Sequence, residues 1–136
     1  MTKQGVVPDE LTRPFWEAAS RSQLVIQKCG PCDRFQHPPE ASCSSCGTDG
    51  GLFWEEVSGR GVIYNYGVVH DCPVRLLQDD QPFNVAVVML EEDPGIQMYS
   101  HLPGTASDEV PVGAKVRVIF EETANGQLVP EWKIAS

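Results

Sequence analysis

Residues 29–46 read Cys29-Gly-Pro-Cys32-Asp-Arg-Phe-Gln-His-Pro-Pro-Glu-Ala-Ser-Cys43-Ser-Ser-Cys46, two Cys-x-x-Cys pairs with ten residues between them. A Cys-x-x-Cys turn folds two thiolates towards one point, and a tetrahedral ion needs two such turns facing each other. Cys29, Cys32, Cys43 and Cys46 therefore read as a four-thiolate metal site. Zinc is the default occupant, because its filled d shell imposes no geometry and thiolates suit a borderline-soft ion. The same ligands hold iron in rubredoxin-like sites, so the ligand set leaves both metals open. Gly30, Pro31, Gly47 and the Gly50-Gly51 pair supply tight turns around the sulfurs. Disulfides would need an oxidising compartment, and a redox-active Cys-x-x-Cys normally stands once, near a βαβ pattern that this sequence lacks. Four protein ligands close the coordination sphere, which makes the metal a structural staple rather than a catalytic centre.

The staple also bears on domain organisation. A segment below about forty residues cannot bury a core alone and usually needs a metal, a disulfide or a partner. The 136 residues accordingly divide into an N-terminal helix and zinc ribbon, 1–52, and a β domain, 53–136. The net charge of −9 is unevenly spread, with thirteen acidic and five basic residues from Gly51 onwards. Such a surface repels phosphate backbones, so nucleic acid is disfavoured as a partner. The first eight residues lack the apolar core of a signal peptide, and no apolar run approaches the roughly 20 residues of a membrane span. A cytoplasmic protein is expected, in which the isolated Cys72 needs no disulfide partner.

Along the chain, Pro14 stands where the first turn of a helix tolerates proline, and a short helix is expected from about Pro14 to Arg21. Phe15 and Trp16 are adjacent and cannot share one face of it. One ring is expected to pack on the ribbon while the other meets the barrel or another chain. Leu24 to Lys28 is β-prone and leads into the first cysteine pair, and His37-Pro38-Pro39 crosses between the pairs in an extended path. Beyond Gly51, five β segments follow: Arg60 to His70, Phe83 to Leu90, Ile96 to Leu102, Lys115 to Glu121 and Leu128 to Ile134. In the first, Val62, Tyr64, Tyr66 and Val68 read as the face with the larger apolar or aromatic groups, and Gly67 suggests a bulge or sharp bend. Val116, Val118 and Phe120 share a face of the fourth, and Asn125-Gly126 marks a hairpin into the fifth. The fold expected is mainly β: a short helix and a rubredoxin-like ribbon, then a five-stranded OB-fold barrel.

No nucleophile with a plausible base is legible. Ser58 lacks the spacing of a nucleophile elbow, and Gly59-Arg60-Gly61 is too short for a dinucleotide fingerprint. His70, Asp71 and Cys72 are adjacent on extended chain and point to opposite faces.

Taken together, these features resemble a known family. They are Pro14-Phe15-Trp16, the four cysteines with His37-Pro38-Pro39 between them, Trp54-Glu-Glu-Val-Ser-Gly-Arg-Gly61, Val62-Ile-Tyr-Asn-Tyr-Gly-Val-Val-His70, Pro82-Phe-Asn-Val-Ala-Val-Val-Met-Leu-Glu91, and Val112-Gly113 leading into Val116-Arg-Val-Ile-Phe-Glu121. The family is the acyl-CoA-associated zinc-ribbon and OB-fold proteins grouped as domain of unknown function 35. Asp33 stands where a glycine often follows the first cysteine pair in that family. Cys72 lies in a usually proline-rich loop, and the Pro130-Glu131-Trp132 end lacks the common Phe-Arg-Pro finish. The resemblance implies a non-catalytic accessory subunit of a thiolase-like enzyme, a lipid-transfer-protein-type thiolase, an aldolase or an acyltransferase, that helps bind an acyl-CoA substrate. The partner would carry the nucleophile. Either the partner or the basic residues Lys28, Arg34 and Arg60 would offset the repulsion between CoA phosphates and this acidic chain. Phe15 and Trp16 are the candidate partner anchors, since aromatics are enriched at interface hot spots. The alternative from a different class is a zinc-ribbon and OB-fold module that binds single-stranded nucleic acid, against which the charge argues.

Overall fold

The computed structural model describes residues 4–135. One helix, α1 (Arg13–Ser20), precedes a three-stranded sheet made of β1 (Val25–Cys29), β2 (Phe35–Gln36) and β3 (Leu52–Glu56), in the order β2-β1-β3. A five-stranded antiparallel sheet follows, built from β4 (Arg60–Val69), β5 (Phe83–Leu90), β6 (Gln97–Ser100), β7 (Lys115–Glu122) and β8 (Leu128–Ile134) in the order β6-β5-β4-β7-β8. A 3₁₀ turn, Arg75–Asp80, lies between β4 and β5. None of the described helices is long and apolar enough to cross a membrane.

The start of α1 is held by a reciprocal bracket. Asp9 Oδ1 accepts from the Thr12 N–H at 2.8 Å and the Thr12 hydroxyl at 2.9 Å, while Thr12 Oγ1 accepts from the Asp9 N–H at 3.1 Å. The Thr12 N–H, and then its hydroxyl, hold the Asp9 carboxyl below its usual range. The helix ends where Ser22 takes a left-handed φ of 57°. Its buried face is Phe15, Ala18 and Ala19, the i, i+3, i+4 stripe of an amphipathic helix.

β1 runs from Val25 into Cys29 and delivers the first ligand directly, as expected of a strand feeding a metal turn. The short strands β2 and β3 are not visible as strands in the sequence pattern, and both pair with β1. The expected boundary between residues 52 and 53 thus falls at the first residue of β3, whose hydrogen bonds place it in the ribbon sheet.

The β4 face assignment needs correction. Gly61, Ile63, Tyr66 and Val68 lie opposite Leu90, Val88, Ala86 and Asn84, and all four of those β5 residues are buried. The register slips between Ile63 and Asn65, so Tyr64 is the bulged residue and stands 52% exposed, while Ile63 faces the core. An extra residue at Tyr64 moves the inward phase from odd to even positions, which a strict period of two cannot anticipate. The expected bulge at Gly67 does not occur, since Gly67 pairs in register with Val85. At Gly61, by contrast, a Cβ would lie 2.5 Å from the Met89 carbonyl oxygen, so close pairing requires glycine there. Val116 is buried, and Val118 and Phe120 pack against the same core, as read from the alternation. The hairpin at Asn125-Gly126 is a longer loop than a two-residue turn: Gly126 alone takes positive φ, 83°, and Thr123 N–H donates to the Gln127 carbonyl at 2.7 Å.

β6 and β8 are the two edges of the five-stranded sheet, and one side chain bridges them. Ser100 Oγ donates to Glu131 Oε2 at 2.5 Å and accepts from the N–H groups of Trp132 and Leu102, each at 3.0 Å. A hydroxyl thus stands where a backbone ladder would otherwise close the barrel. Trp132, fully buried, fills the interior beside it. The core is continuous across the chain, because Phe15, Leu24 and Ile26 from the helix and ribbon belong to the same apolar cluster as Ile63, Val88, Met98 and Trp132 from the barrel.

Candidate metal centre

The two cysteine turns are built alike. In the first, Cys29 N–H donates to the Arg34 carbonyl at 2.9 Å, and Asp33 N–H donates back to the Cys29 carbonyl at 2.8 Å. In the second, Cys43 N–H donates to Thr48 at 2.7 Å and Gly47 N–H to Cys43 at 2.9 Å. Asp33 and Gly47 occupy the same place, and both take left-handed φ, 62° and 78°. The glycine of one turn and the aspartate of the other do the same geometric task.

The two turns face each other across a small volume. The four sulfurs lie within 4.8 Å of one another, with Cys29 Sγ and Cys46 Sγ 3.6 Å apart and Cys32 Sγ and Cys43 Sγ also 3.6 Å apart. A tetrahedral zinc with sulfurs at about 2.3 Å requires sulfur-sulfur edges of about 3.8 Å, so the set fits. A disulfide does not, since it needs about 2.05 Å. All five cysteines are free thiols by distance.

The sulfurs differ in environment. The N–H groups of Cys46 and Ser45 hold the Cys43 thiol down to about 6. At Cys29 the Cys32 N–H also favours the thiolate, but burial and the neighbouring thiols of Cys32, Cys46 and Cys43 push it up to about 12. Burial raises Cys32 as well. Packed this closely, four sulfurs cannot all ionise on backbone donors alone, and a divalent cation supplies the missing positive charge.

Two residues with no signal in the cysteine motif position the second turn. Gln27 on β1 and Gln36 on β2 are direct cross-strand partners, 4% and 8% exposed. Gln27 brackets Glu40, donating to its carbonyl and accepting from its N–H, both at 2.9 Å. Gln36 donates to the Ser42 carbonyl at 3.1 Å and accepts from the Ser44 N–H at 2.9 Å. Together they tie residues 40–44 to the ribbon sheet and so set where Cys43 lies. Two glutamines nine residues apart in β-prone chain are a faint sign, legible only once β1 and β2 are known to pair.

The remaining candidates are dispersed. His37 is not among the sulfurs: it packs against the Phe15 ring, 5.8 Å between centroids, and burial pushes its imidazole below the usual value. Phe15 is 6% exposed and is taken up by the core. Trp16 meets it edge-on at 4.9 Å and keeps an accessible side lining a groove with Pro38, Pro39, Tyr99 and Pro130. Of the basic residues, Lys28 is paired with Asp33 and Glu55, each at 3.3 Å, and Arg60 with Glu91 at 2.8 Å. Arg34 is exposed. His70 and Asp71 are exposed while Cys72 is buried, so the three do not converge.

Comparison with known proteins accounts for both halves. Residues 16–50 match the rubredoxin-like zinc ribbon domain of ChsH2, and residues 54–121, half of the chain, match the ChsH2 C-terminal OB-fold domain. The ribbon match contains all four cysteines, and the cofactor is zinc. A probable enoyl-CoA hydratase alpha subunit of Thermomonospora curvata is 37% identical over 105 residues, 75% of this chain. The match covers only 31% of that relative's length. A DUF35 domain-containing scaffold protein of Methanocaldococcus jannaschii is 24% identical over 110 residues, 81% of this chain and 76% of its own. Among solved structures, a chain of the Ltp2-ChsH2(DUF35) aldolase superposes with a TM-score of 0.83 at 29% identity, covering 97% of this chain and 100% of that one. A DUF35-family protein of unknown function from Sulfolobus solfataricus shares the fold, with a TM-score of 0.63 at 16% identity over 93% of this chain and 86% of its own. With a ChsH2-type ribbon leading into a ChsH2-type barrel in one continuous core, this chain belongs to the ChsH2 family of DUF35 proteins.

Proposed function

We propose that this chain is a non-catalytic subunit of a thiolase-like, acyl-CoA-processing complex, in which it braces the partner and helps hold the CoA thioester. The observation that carries the reading is the end-to-end correspondence with a chain of the Ltp2-ChsH2(DUF35) aldolase, at 29% identity. The hydratase-subunit and scaffold relatives support the same role, a part within a larger assembly.

The chemistry of the chain is consistent with that role. Cys29, Cys32, Cys43 and Cys46 would all ligate zinc, and four thiolates leave no position for substrate or water. The zinc then acts on structure alone. Lys28 and Arg60 are already paired with carboxylates, so the positive charge that CoA phosphates require is left to the exposed Arg34 and to the partner. Of the aromatic pair, Trp16 has surface to offer a partner, whereas Phe15 would have to leave the core.

The test is co-expression with a thiolase-like protein of the same organism, followed by assay of thioester condensation and cleavage with each protein alone and with both. The expected result is a stable complex, no turnover by this chain alone and full activity only from the pair. Turnover by this chain alone would refute the accessory role.

A further inference from the structure

We propose that His101, Glu121 and Glu131 form a second divalent-cation site, on the seam where the barrel closes. The three residues come from different elements, just after β6, on β7 and on β8. Their ligating atoms lie within 4.8 Å of one another. His101 Nε2 is 3.2 Å from Glu121 Oε1 and 3.9 Å from Glu131 Oε1. Ligands about 2.1 Å from a common ion stand roughly 3.0–3.4 Å apart at octahedral and tetrahedral angles, so small side-chain adjustments suffice. Two carboxylates balance the charge of a divalent ion, and one imidazole with two carboxylates suits zinc, manganese, iron(II) or cobalt(II) rather than calcium.

The carboxylate of Glu131 is already oriented for this. Its Oε2 accepts from the Ser100 hydroxyl and from the His101 N–H, at 2.5 and 3.3 Å, and Oε1 is the oxygen near the imidazole. Ligating carboxylates are commonly held by hydrogen bonds of this kind. An independent observation points to a ligand here. Asn84 is 2% exposed, its buried Oδ1 has no hydrogen-bond partner, and it lines a cavity of about 360 Å³ together with His101, Glu121 and Asp80. Buried amide oxygens are rarely left unpaired, and a water carried by the cation is a donor of the right kind. Three protein ligands leave coordination positions open, unlike the sulfur site, and the ion would pin β6 to β7 and β8 where no ladder joins β6 to β8.

The experiment titrates the zinc-loaded chain with Mn²⁺, read by loss of the free-ion EPR signal, and separately with Co²⁺, read by weak d–d bands without thiolate charge transfer. One equivalent of added ion should bind with zinc retained, and His101→Gln and Glu121→Gln should each weaken binding about tenfold or more with zinc content and circular dichroism unchanged. If neither ion binds at millimolar concentration, or if both variants bind as the wild type does, the site does not exist and the three residues serve as a hydrogen-bonded clasp.

Discussion

Gln27 and Gln36 share a hydrogen bond of 2.6 Å across β1 and β2, Gln36 Nε2 donating to Gln27 Oε1. From that shared contact each side chain reaches out to the loop that carries the second cysteine pair. The metal centre is therefore fixed by amides as well as by sulfurs. Gln36→Leu removes the acceptor for Ser44 N–H and the donor to Ser42, and zinc affinity should fall about 10- to 100-fold. Competition against a chromophoric chelator measures it. Unaltered affinity would mean that the metal shapes the loop unaided.

Asp33 and Gly47 share one left-handed position in the two turns. Gly47→Ala should destabilise the chain by about 1–2 kcal/mol, the cost of a Cβ in that region. Asp33→Gly relieves the same strain and loses only an ion pair to Lys28 in which Asp33 is 85% exposed, worth about 0–1 kcal/mol. Its effect should be neutral or stabilising. Urea unfolding of the zinc-loaded variants compares the two.

Ser100 closes the seam through three hydrogen bonds. Ser100→Ala leaves the N–H groups of Trp132 and Leu102 and a Glu131 oxygen without that hydroxyl, at about 1–3 kcal/mol for a buried group left unsatisfied. The urea midpoint should fall with the slope unchanged, and the Trp132 and Leu102 amides should exchange faster than other barrel amides. Exchange that rises equally everywhere would contradict a local seam.

Phe15 and Trp16, adjacent in sequence, should separate by mutation. Phe15→Ala removes a buried ring and should cost about 3–5 kcal/mol of stability. Trp16→Ala should cost less and instead weaken the complex with a thiolase-like partner by about tenfold or more, as loss of an interface anchor does. Isothermal titration with the partner reads the second effect. An unchanged affinity would remove Trp16 from the interface.

Removing the metal should reach beyond the ribbon. Cys32→Ser should abolish stable zinc binding and disorder the helix and ribbon, since a structural zinc contributes on the order of 10 kcal/mol to folding. The barrel keeps its own ladders and should retain β signal, but Phe15, Leu24 and Ile26 leave its core. The barrel should therefore melt at lower temperature. A barrel melting as in the wild type would show that the two halves are energetically separate.

The sulfur site, the helix and the five barrel strands were legible in the amino-acid sequence, whereas the β6-β5-β4-β7-β8 order of those strands was not. The legible features rest on local signals: ligand spacing within a turn, proline at a helix start, and alternation along one strand. Strand pairing in three dimensions put Ile63 rather than Tyr64 on the core, because a bulge is defined by the partner strand's register. Tertiary packing likewise buried Phe15 rather than Trp16, brought Gln27 to Gln36, and joined Ser100 to Glu131 and Trp132. Those relationships link residues up to 32 positions apart. Nothing in a strand's own periodicity encodes which neighbour it will meet, so such contacts exist only once the sheets have paired and the barrel has closed.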